Sequence, residues 1–384
     1  MRITFICASL QPGCDGVGDY VRRLACEIIK QGHQADAIAL KDSFIPDTKE
    51  ATQELDGIEL QVLRLPASMT SIERYRRLGI QMKTFNPDLV SLQYVGFGYN
   101  KRGLPFDILT GLRKALDERK LHIMLHELWC GMAVNAGLKE QVLGKLQKFF
   151  IKNMIGLLKP EIVFTSIRPY WLHLRQVGIE SIIVPIFGNI PINDTGNQHD
   201  WEILVTRSNL STLVLNQDSW LILGFFGTTY NSPGLDQLLL MAATAARSEG
   251  LKLGILFIGH NRRQDILELV KSYPDVSHWQ TGALSAGMIN RCMQLVNIGI
   301  VTSAVDGIDK SGSALAWMER GIPVLIPPDD KTYKAEEMES KGIYQAISPQ
   351  VVLHASHIHN QLAPQSNLKK AARAYTRYSY QPVC

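Results

Sequence analysis

Residues 3–40 read ITFICASLQPGCDGVGDYVRRLACEIIKQGHQADAIAL, and this stretch decides the fold class. The β-branched and apolar run at 3–8 predicts a buried strand, and a glycine-containing loop follows it. A helical pattern then ends at Gly32, and residues 35–40 predict a second strand. A strand, a glycine loop, a helix and a strand in this order indicate two parallel strands joined by a helix, the repeating unit of an α/β sheet.

The same unit recurs along the chain. Further apolar runs predict strands at 88–93, 122–126, 162–166, 220–226, 253–258, 298–302 and 324–326. The chain has 384 residues, whereas single hydrophobic cores stop growing at roughly 250–300 residues. We therefore predict an α/β protein with two Rossmann-like, doubly wound domains that face each other across a cleft.

The domain boundaries follow from a polar, irregular stretch at 190–219, which we expect to contain the linker. The predicted N-terminal domain covers 1–195, and the predicted C-terminal domain covers 215–365. The remaining segment, 366–384, is predicted to form a helix that could cross back to pack on the N-terminal domain.

The composition is typical of a soluble globular protein, with 46% hydrophobic and 20% charged residues. The formal net charge of +4 is too small to indicate nucleic-acid binding, although it suits anionic ligands or a membrane surface. The six cysteines form no C-x-x-C pair and no metal-ligand spacing with histidine, so we expect a reducing compartment. The sequence shows no signal-peptide pattern and no apolar run of about 18 residues, so a cytoplasmic location is expected.

The first candidate site is the loop that precedes the first helix and contains Gly16, Val17, Gly18 and Asp19. Glycines let the backbone approach a ligand closely, and a helix N-terminus offers amide groups to an anion. Gly16 and Gly18 match two glycines of the dinucleotide fingerprint, but Val21 replaces the third. Dinucleotide binding is therefore disfavoured, and a tight turn without a ligand stays an alternative.

The second candidate site is His126, at the predicted carboxyl end of a strand. Open α/β sheets bind ligands at this edge, and a histidine there can donate a hydrogen bond to a sugar hydroxyl or a phosphate. The alternative is an edge histidine whose hydrogen bonds are satisfied within the protein, and the sequence leaves both interpretations open.

The third candidate site precedes the helix that ends at Gly321. Ser311, Gly312 and Ser313 suit a capped helix start with exposed amides, and Lys310 adds a positive charge beside them. A diphosphate could be held here without a metal ion, and no D-x-D cluster is present to suggest one. An ordinary capped helix is the alternative.

In order and spacing, these motifs resemble glycosyltransferases of the GT-B architecture, especially the large retaining family 4. The resemblance covers nearly the whole chain, and the Gly-Ile-Pro-Val step at 321–324 is its most specific piece. The matching segments are the glycine-rich acceptor-side loop at 16–20, a strand at 86–93, a strand end at 125–127, the opening of the second domain at 225–236, the base-binding segment at 281–285 and a helix with its following strand at 316–324.

The resemblance implies a glycosyltransferase that moves a sugar from a nucleotide-sugar to a hydroxyl acceptor with anomeric retention. The nucleotide-sugar is a co-substrate, and neither a metal nor a cofactor is implied. His126 and Lys310 would be catalytic, and residues 16–19 would lie on the acceptor side. The donor and its phosphates would be bound by Ser311, Gly312, Ser313, Gly227, Thr228, Gly282, Ala283 and Leu284. The acceptor would be a saccharide or a lipid-linked saccharide, as in cell-surface polysaccharide biosynthesis.

Two departures from the family pattern bear on activity. Counting back from Gly321, the two glutamates of the family fall at Ile308 and Ala316. The loop at 227–234 lacks the usual arginine and lysine, which would weaken the hold on the pyrophosphate. Lys310 is expected to compensate in part. Further candidate helpers are Arg262, Arg263, Asp306 and Asp309.

Three other functions are considered beside glycosyl transfer. The missing charged residues favour a catalytically impaired, GT-B-like partner subunit that binds a saccharide or another transferase. A nucleotide-sugar epimerase on the same architecture would need acidic and histidine residues that converge. A nicotinamide dehydrogenase ranks last, because the third fingerprint glycine is missing.

The helical pattern at 139–158 bears on membrane contact. Apolar residues recur at helical spacing at 142, 146, 149, 150, 154, 157 and 158, with Lys145, Lys148 and Lys152 among the polar positions. One interpretation is a helix that lies on an anionic membrane, with peripheral contact at the inner face. The favoured interpretation is a buried amphipathic helix with a solvated lysine face, because such helices are common.

Overall fold

The computed structural model describes residues 1–132, 136–192, 196–230, 232–260, 263–303, 305–328, 338–358 and 364–377. The chain forms two compact units. Unit 1 comprises Met1–Asn189 and Asn367–Cys384, and unit 2 comprises Ile190–Ser366. Each unit is an α/β domain with a mainly parallel sheet, which confirms the predicted fold class.

Unit 1 contains, within the described residues, an eight-stranded sheet in the order β3-β4-β2-β1-β5-β6-β7-β8. Its strands are β1 (Arg2–Cys7), β2 (Gln34–Asp42), β3 (Lys49–Leu55), β4 (Ile58–Pro66), β5 (Leu89–Tyr94), β6 (Lys120–Leu125), β7 (Ile162–Thr165) and β8 (Ile182–Ile183). Neighbouring strands are parallel except at the β3–β4 hairpin. That hairpin turns at Asp56 and Gly57, both with positive φ, and our strand prediction missed it.

Helices cover both faces of this sheet. They are α1 (Gly16–Lys30), α2 (Ser71–Phe85), α3 (Gly96–Tyr99), α4 (Phe106–Leu116), α5 (Leu138–Leu158) and α6 (Arg168–Gln176). Alternate residues of a strand point to opposite faces. Phe5 accordingly packs in one core with Leu24 of α1, whereas Ile6 packs in the other with Leu112 of α4 and Phe150 of α5.

Unit 2 contains, in its described part, a parallel six-stranded sheet in the order β11-β10-β9-β12-β13-β14. The strands are β9 (Trp220–Phe226), β10 (Lys252–Ile258), β11 (Val276–Gln280), β12 (Ile298–Ile300), β13 (Val324–Ile326) and β14 (Ile343–Gln345). The helices are α7 (Gln198–Arg207), α8 (Ser211–Leu215), α9 (Leu235–Ser248), α10 (Gln264–Lys271), α11 (Ala286–Gln294), α12 (Gly312–Met318) and α13 (Pro349–Ile358). Counted within the unit, the strand order is 3-2-1-4-5-6, the doubly wound order of Rossmann domains.

The stretch at 190–219 is not irregular, and this part of our prediction was wrong. Its described residues contain α7 and α8. Asn197 caps α7, because its side chain accepts a hydrogen bond of 2.7 Å from the amide of Asp200. Leu204, Leu210 and Leu213 are buried in the unit 2 core, so tertiary packing stabilises a segment whose sequence looks polar. The predicted end of the N-terminal domain, at residue 195, lies outside the described residues.

The C-terminal helix, α14 (Leu368–Arg377), belongs to unit 1. Ala371, Ala372 and Tyr375 are buried there, and the Tyr375 ring contacts the ring of Phe5 with centroids 5.8 Å apart. In the described part of the chain, no helix combines the length and the apolar character that crossing a membrane requires.

Candidate functional site

The sheet topology marks one candidate binding edge in each unit. Ligands of open α/β sheets bind beyond the carboxyl ends of the strands, where the strand order reverses. In unit 2 the reversal falls between β9 and β12, and in unit 1 it falls between β1 and β5. The loops that leave these four strands are therefore the first places to look for a site.

Hydroxyl side chains gather at the unit 2 reversal point. The Ser311 Oγ atom lies 3.1 Å from Ser303 Oγ and 3.0 Å from Ser313 Oγ. The amide of Tyr230 donates a 2.7 Å hydrogen bond to Thr302 Oγ1, which ties the loop after β9 to the end of β12. We call Thr302, Ser303, Ser311 and Ser313 the hydroxyl cluster. Several hydroxyls in one place can donate hydrogen bonds to the oxygens of a phosphate.

Gly227 lets the loop after β9 pass close to this cluster. Its φ is +76°, a left-handed conformation that favours glycine. A β-carbon added at Gly227 would lie 3.3 Å from the β-carbon of Ser313, which is a tight contact. Thr228 follows in the same loop and is exposed. The structure thus brings the predicted residues Gly227 and Ser313 together.

Lys310 ends a 3-10 helix, Val305–Lys310, directly before the hydroxyl cluster. Its side chain is half-buried. Ser311 caps α12, because its Oγ accepts a hydrogen bond of 3.4 Å from the amide of Ala314, and Gly312 is exposed at the first helical position. One positive charge therefore adjoins an otherwise uncharged group of hydroxyls.

The predicted base-binding residues lie at the same edge of the sheet, two strands from β9. Gly282 forms a bridge with Gly259, whose amide donates a 3.0 Å hydrogen bond to Thr281 Oγ1. Among the described residues, no atom lies within 4 Å of a β-carbon added at either glycine, so this part of the structure leaves the backbone open on that side. Ala283 is exposed, and Leu284 packs partly against the unit 2 core.

The residues that depart from the family pattern, and the charged residues considered as helpers, are buried or form ion pairs where the structure describes their side chains. Ile308 and Ala316, which stand where the glutamates were expected, are both in the unit 2 core. The Asp309 carboxylate forms a 2.9 Å ion pair with Lys341, and Arg263 pairs with Asp265. Arg262 and the Asp306 side chain lie outside the described part of the structure. Within the described ranges, no group of three or more His, Cys, Asp and Glu side chains could hold a metal ion.

The predicted acceptor-side loop, in unit 1, is held by its own carboxylates. Asp15 Oδ1 accepts a 2.7 Å hydrogen bond from the Gly18 amide and caps α1. Asp19 Oδ1 accepts 3.1 Å hydrogen bonds from the Gly13 amide and from Arg22. Burial raises the pKa of Asp15, although the hydrogen bond from Gly18 opposes this. These carboxylates occupy the amino end of α1, so the loop suits a ligand rich in hydroxyl donors better than an anion.

The glycines of this loop differ in what they require. A β-carbon at Gly18 would lie 2.4 Å from the carbonyl oxygen of Ser9, so only glycine fits. Gly16 is exposed, and its carbonyl accepts a 3.3 Å hydrogen bond from Asn189. Val17 packs partly against the unit 1 core. Of Gly16, Val17 and Gly18, Gly16 is therefore the one glycine that a ligand could reach.

His126 is buried and hydrogen-bonded within unit 1. Its Nε2 atom lies 2.9 Å from Gln93 Oε1, and its ring contacts the Tyr20 ring edge-on, with centroids 4.8 Å apart. Gln93 Nε2 in turn lies 2.8 Å from Ser91 Oγ and 3.3 Å from the Tyr375 hydroxyl. The strand-end histidine and the glutamine of the preceding strand are therefore parts of one polar network.

The expected role of His126 changes with this geometry. Burial lowers its pKa to about 3, so the imidazole is neutral near pH 7. Because Gln93 Oε1 can only accept, Nε2 carries the proton and Nδ1 is left as an acceptor. Donation of a hydrogen bond to a sugar hydroxyl or a phosphate, the role that we expected, is disfavoured because the Nε2 proton is already bonded to Gln93. Through Nδ1, His126 could instead accept a hydrogen bond from a sugar hydroxyl.

Three residues at this edge were not predicted from the sequence: Thr302 and Ser303, which follow Val301 after β12, and the exposed aromatic Tyr230. A readable signal existed for the first two. Two hydroxyl residues lie just beyond a short buried strand, separated from it by Val301, and that strand sits at the reversal point of the sheet. These two residues could be recognised as site candidates only once the strand order was known.

Comparisons with known proteins show the fold. No protein-family model matches the chain, and no curated protein matches it in sequence. A Listeria monocytogenes protein assigned as a UDP-N-acetylglucosamine 2-epimerase is 12% identical, with 99% of this chain and 97% of that chain covered and a TM-score of 0.55. The Neisseria meningitidis UDP-GlcNAc 2-epimerase bound to UDP-GlcNAc is 11% identical, with 98% and 99% covered and a TM-score of 0.52.

A third solved structure extends this similarity to a transferase. The UDP-forming α,α-trehalose-phosphate synthase from Burkholderia vietnamiensis is 10% identical, with 99% of this chain and 97% of that chain covered and a TM-score of 0.50. The two α/β units of this chain have the Rossmann-like folds of GT-B proteins. At these identities the similarity shows the fold alone.

Proposed function

We propose that the protein is a glycosyltransferase that uses a nucleotide-sugar donor and a hydroxyl acceptor. The observation that carries the proposal is the hydroxyl cluster at the reversal point of the unit 2 sheet. Doubly wound domains bind nucleotides at this point. Among the proteins with similar folds, one synthase is described as UDP-forming and one epimerase as bound to UDP-GlcNAc.

In this proposal the donor diphosphate binds at the hydroxyl cluster. Ser311 and Ser313 donate hydrogen bonds to phosphate oxygens, and Lys310 supplies the positive charge that stabilises the leaving nucleoside diphosphate. The base lies near Gly282, where the backbone is open. We propose that transfer proceeds with anomeric retention and without a metal ion or a cofactor, as the family resemblance implies.

In the same proposal the acceptor binds at the unit 1 loop. Asp15 and Asp19 carry acceptor oxygens that suit the hydroxyls of a saccharide, and Gly16 is accessible beside them. We propose a saccharide or lipid-linked saccharide as the acceptor, in cytoplasmic polysaccharide biosynthesis.

Two rival functions keep specific support. The buried Ile308 and Ala316 remove the usual acidic groups, which favours a binding subunit without catalytic activity. The TM-scores of 0.55 and 0.52 to UDP-GlcNAc 2-epimerase structures keep epimerisation open on the basis of fold. In unit 1, however, His126 bonds to an amide, and among the described residues of that unit it has no carboxylate partner.

A thermal-shift panel of nucleotide-sugars tests the proposal first, because a ligand that binds the native state raises the melting temperature. Any donor that binds is then incubated with saccharide acceptors, and nucleoside diphosphate release is measured beside epimer formation. Release that depends on an acceptor supports transfer. Binding without turnover supports the binding subunit, a new epimer without release supports an epimerase, and no shift with any nucleotide-sugar contradicts both enzymatic functions.

A matched pair of double variants tests the location of the donor. Ser311→Ala with Ser313→Ala should weaken donor affinity about tenfold, since two hydrogen bonds are lost. Ser248→Ala with Ser272→Ala removes two exposed hydroxyls at other helix ends of unit 2 and should leave the affinity unchanged. Equal affinities for both double variants would remove the hydroxyl cluster from the donor site.

A further inference from the structure

The outward face of α5 is apolar, although it lies at the surface. Leu138, Val142, Leu146 and Phe149 follow one another at spacings of four, four and three residues, so they form a single stripe along the helix. Their exposed fractions run from 52% at Leu146 to 79% at Leu138. Phe106 of α4 is 63% exposed and packs against the ring of Phe150 in α5, with centroids 5.4 Å apart. We call Leu138, Val142, Leu146, Phe149 and Phe106 the apolar face.

Contacts on the inner side of α5 explain this orientation. Gln147 is buried, its Oε1 accepts a 2.8 Å hydrogen bond from the Cys130 amide, and its Nε2 donates a 2.8 Å hydrogen bond to the Arg102 carbonyl. A β-carbon at Gly144 would lie 2.1 Å from the carbonyl oxygen of Cys130, so the helix passes against this segment at a glycine. The first turns of α5 therefore present a glycine and a glutamine to the protein and their apolar residues to solvent, the reverse of a usual surface helix.

This finding contradicts part of the interpretation that the sequence favoured. A buried amphipathic helix should hide Val142, Leu146 and Phe149, yet all three are exposed. Phe150 and Met154 do point into the unit 1 core, as that interpretation requires. The helix is thus apolar on two sides, and only one of them is covered by unit 1.

Lysines surround the apolar face. The segment 138–159 contains five lysines and one acidic residue, Glu140, so its formal charge is 5 − 1 = +4, equal to the +4 of the whole chain. On a helix with 3.6 residues per turn, Lys139 lies on one side of the stripe, and Lys145 and Lys152 lie on the other. All three are exposed. The excess positive charge of the protein is therefore concentrated around exposed apolar side chains.

We propose that the apolar face of α5 docks on an anionic lipid bilayer. Apolar side chains flanked by lysines match the boundary between acyl chains and phosphate headgroups of a membrane surface. A second copy of this chain fits poorly, because a two-fold interface pairs identical patches and would place lysines against lysines. The docking goes beyond glycosyl transfer and does not depend on it.

Co-sedimentation of the full chain with vesicles tests this docking. Vesicles of phosphatidylglycerol mixed equally with phosphatidylcholine are compared with vesicles of phosphatidylcholine alone, without nucleotide or saccharide. We expect at least about tenfold stronger partitioning to the anionic vesicles and weaker partitioning at high salt. Because no donor is present, failure of docking and failure of the proposed transferase activity are measured separately.

Three variants separate the contributions of the surface. Val142→Gln, Leu146→Gln and Phe149→Gln together should lower partitioning at least about tenfold, because the apolar contact is lost. The control carries Ile72→Gln, Leu215→Gln and Leu240→Gln at exposed apolar positions elsewhere and should partition like the unchanged protein. Replacing Lys139, Lys145 and Lys152 by glutamine should remove the preference for anionic vesicles.

Two results would overturn the docking proposal. One is the absence of binding to anionic vesicles, and the other is equal partitioning of the α5 glutamine variant and its control. Sedimentation velocity of the same samples tests the competing occupant of the apolar face, a second copy of this chain. If the unchanged protein self-associates, the α5 variant does not, and vesicles bind neither, the face contacts a second copy and the lipid proposal is wrong.

Discussion

The Nε2 atom of His126 lies 2.9 Å from the Oε1 atom of Gln93, although the two residues stand 33 positions apart in the chain. The glutamine also bonds with the hydroxyl of Tyr375, 282 positions away. One buried amide therefore connects β5, the end of β6 and the C-terminal helix. Such a network is costly to break, because a buried donor left without an acceptor loses its solvation without compensation.

Replacing Gln93 should destabilise unit 1. In Gln93→Met, the His126 Nε2–H loses its acceptor inside the protein, and we expect the free energy of unfolding to fall by about 1–3 kcal/mol. Urea denaturation followed by circular dichroism measures the change. The control, Gln61→Met, removes a glutamine that bonds to Thr52 at the surface and should cost less than about 0.5 kcal/mol. Equal losses in the two variants would mean that the network does not stabilise the fold.

His122 should make stability depend on pH. It is fully buried on β6, and neither ring nitrogen has a hydrogen-bond partner among the described residues. Burial lowers its pKa from 6.5 to about 4. Between these values the unfolded chain binds a proton that the folded chain does not, so stability is complete above pH 6.5 and falls as the pH drops toward 4.

The variant His122→Phe should remove this dependence. Relative to the unchanged protein, we expect the variant to gain about 2 kcal/mol on going from pH 7 to pH 5, because each pKa unit corresponds to 1.36 kcal/mol. The comparison uses urea denaturation at both pH values. The exposed His199, replaced by glutamine, provides the control and should leave the pH dependence unchanged. A pH dependence as steep in His122→Phe as in the unchanged protein would mean that His122 does not contribute to it. The dependence that remains in both proteins is expected from other groups, first among them His126, whose pKa burial lowers to about 3.

Much of the fold was accessible from the sequence, because parallel buried strands are continuous apolar runs and their loops carry glycine. The runs at 3–8 and 220–226 predicted β1 and β9 closely. Local signals could not reveal α8, since Leu210 and Leu213 gain their burial from strands and helices far along the chain. They also could not show which side of α5 faces solvent, because that depends on the contact between Gly144 and the Cys130 carbonyl.

Only part of the candidate site could be predicted from the sequence. Ser311 carries a local capping signal, and the structure gives it that cap. Thr302 and Ser303 become site candidates only when the strand order places β12 beside β9. Which ring nitrogen of His126 carries the proton likewise depends on Gln93, a partner that the sequence does not identify.

Two glycines with the same backbone conformation should respond differently to substitution. Gly227 and Gly250 both have positive φ, +76° and +67°. An alanine at either position should lower the free energy of unfolding by about 1 kcal/mol, because a residue with a β-carbon disfavours positive φ. Only at Gly227 would the new β-carbon crowd Ser313, at 3.3 Å, whereas nothing lies within 4 Å at Gly250. We expect Gly227→Ala to weaken nucleotide-sugar binding in a thermal-shift titration and Gly250→Ala to leave it unchanged. The same affinity for the nucleotide-sugar in both variants would show that Gly227 is not part of the donor site.

The acceptor-side loop offers a second matched pair, because Gly16 and Gly18 differ in the space around them. In Gly18→Ala the β-carbon would lie 2.4 Å from the Ser9 carbonyl oxygen, so the loop or α1 must shift. We expect a loss of about 1–3 kcal/mol in unfolding free energy. In Gly16→Ala the nearest atom is 4.0 Å away, so stability should change by less than about 1 kcal/mol. Urea denaturation distinguishes the two. If Gly16→Ala keeps the stability and yet lowers transfer to a saccharide acceptor, the accessible glycine lies at the acceptor; if transfer is unchanged, the glycines of this loop serve the turn and not a ligand.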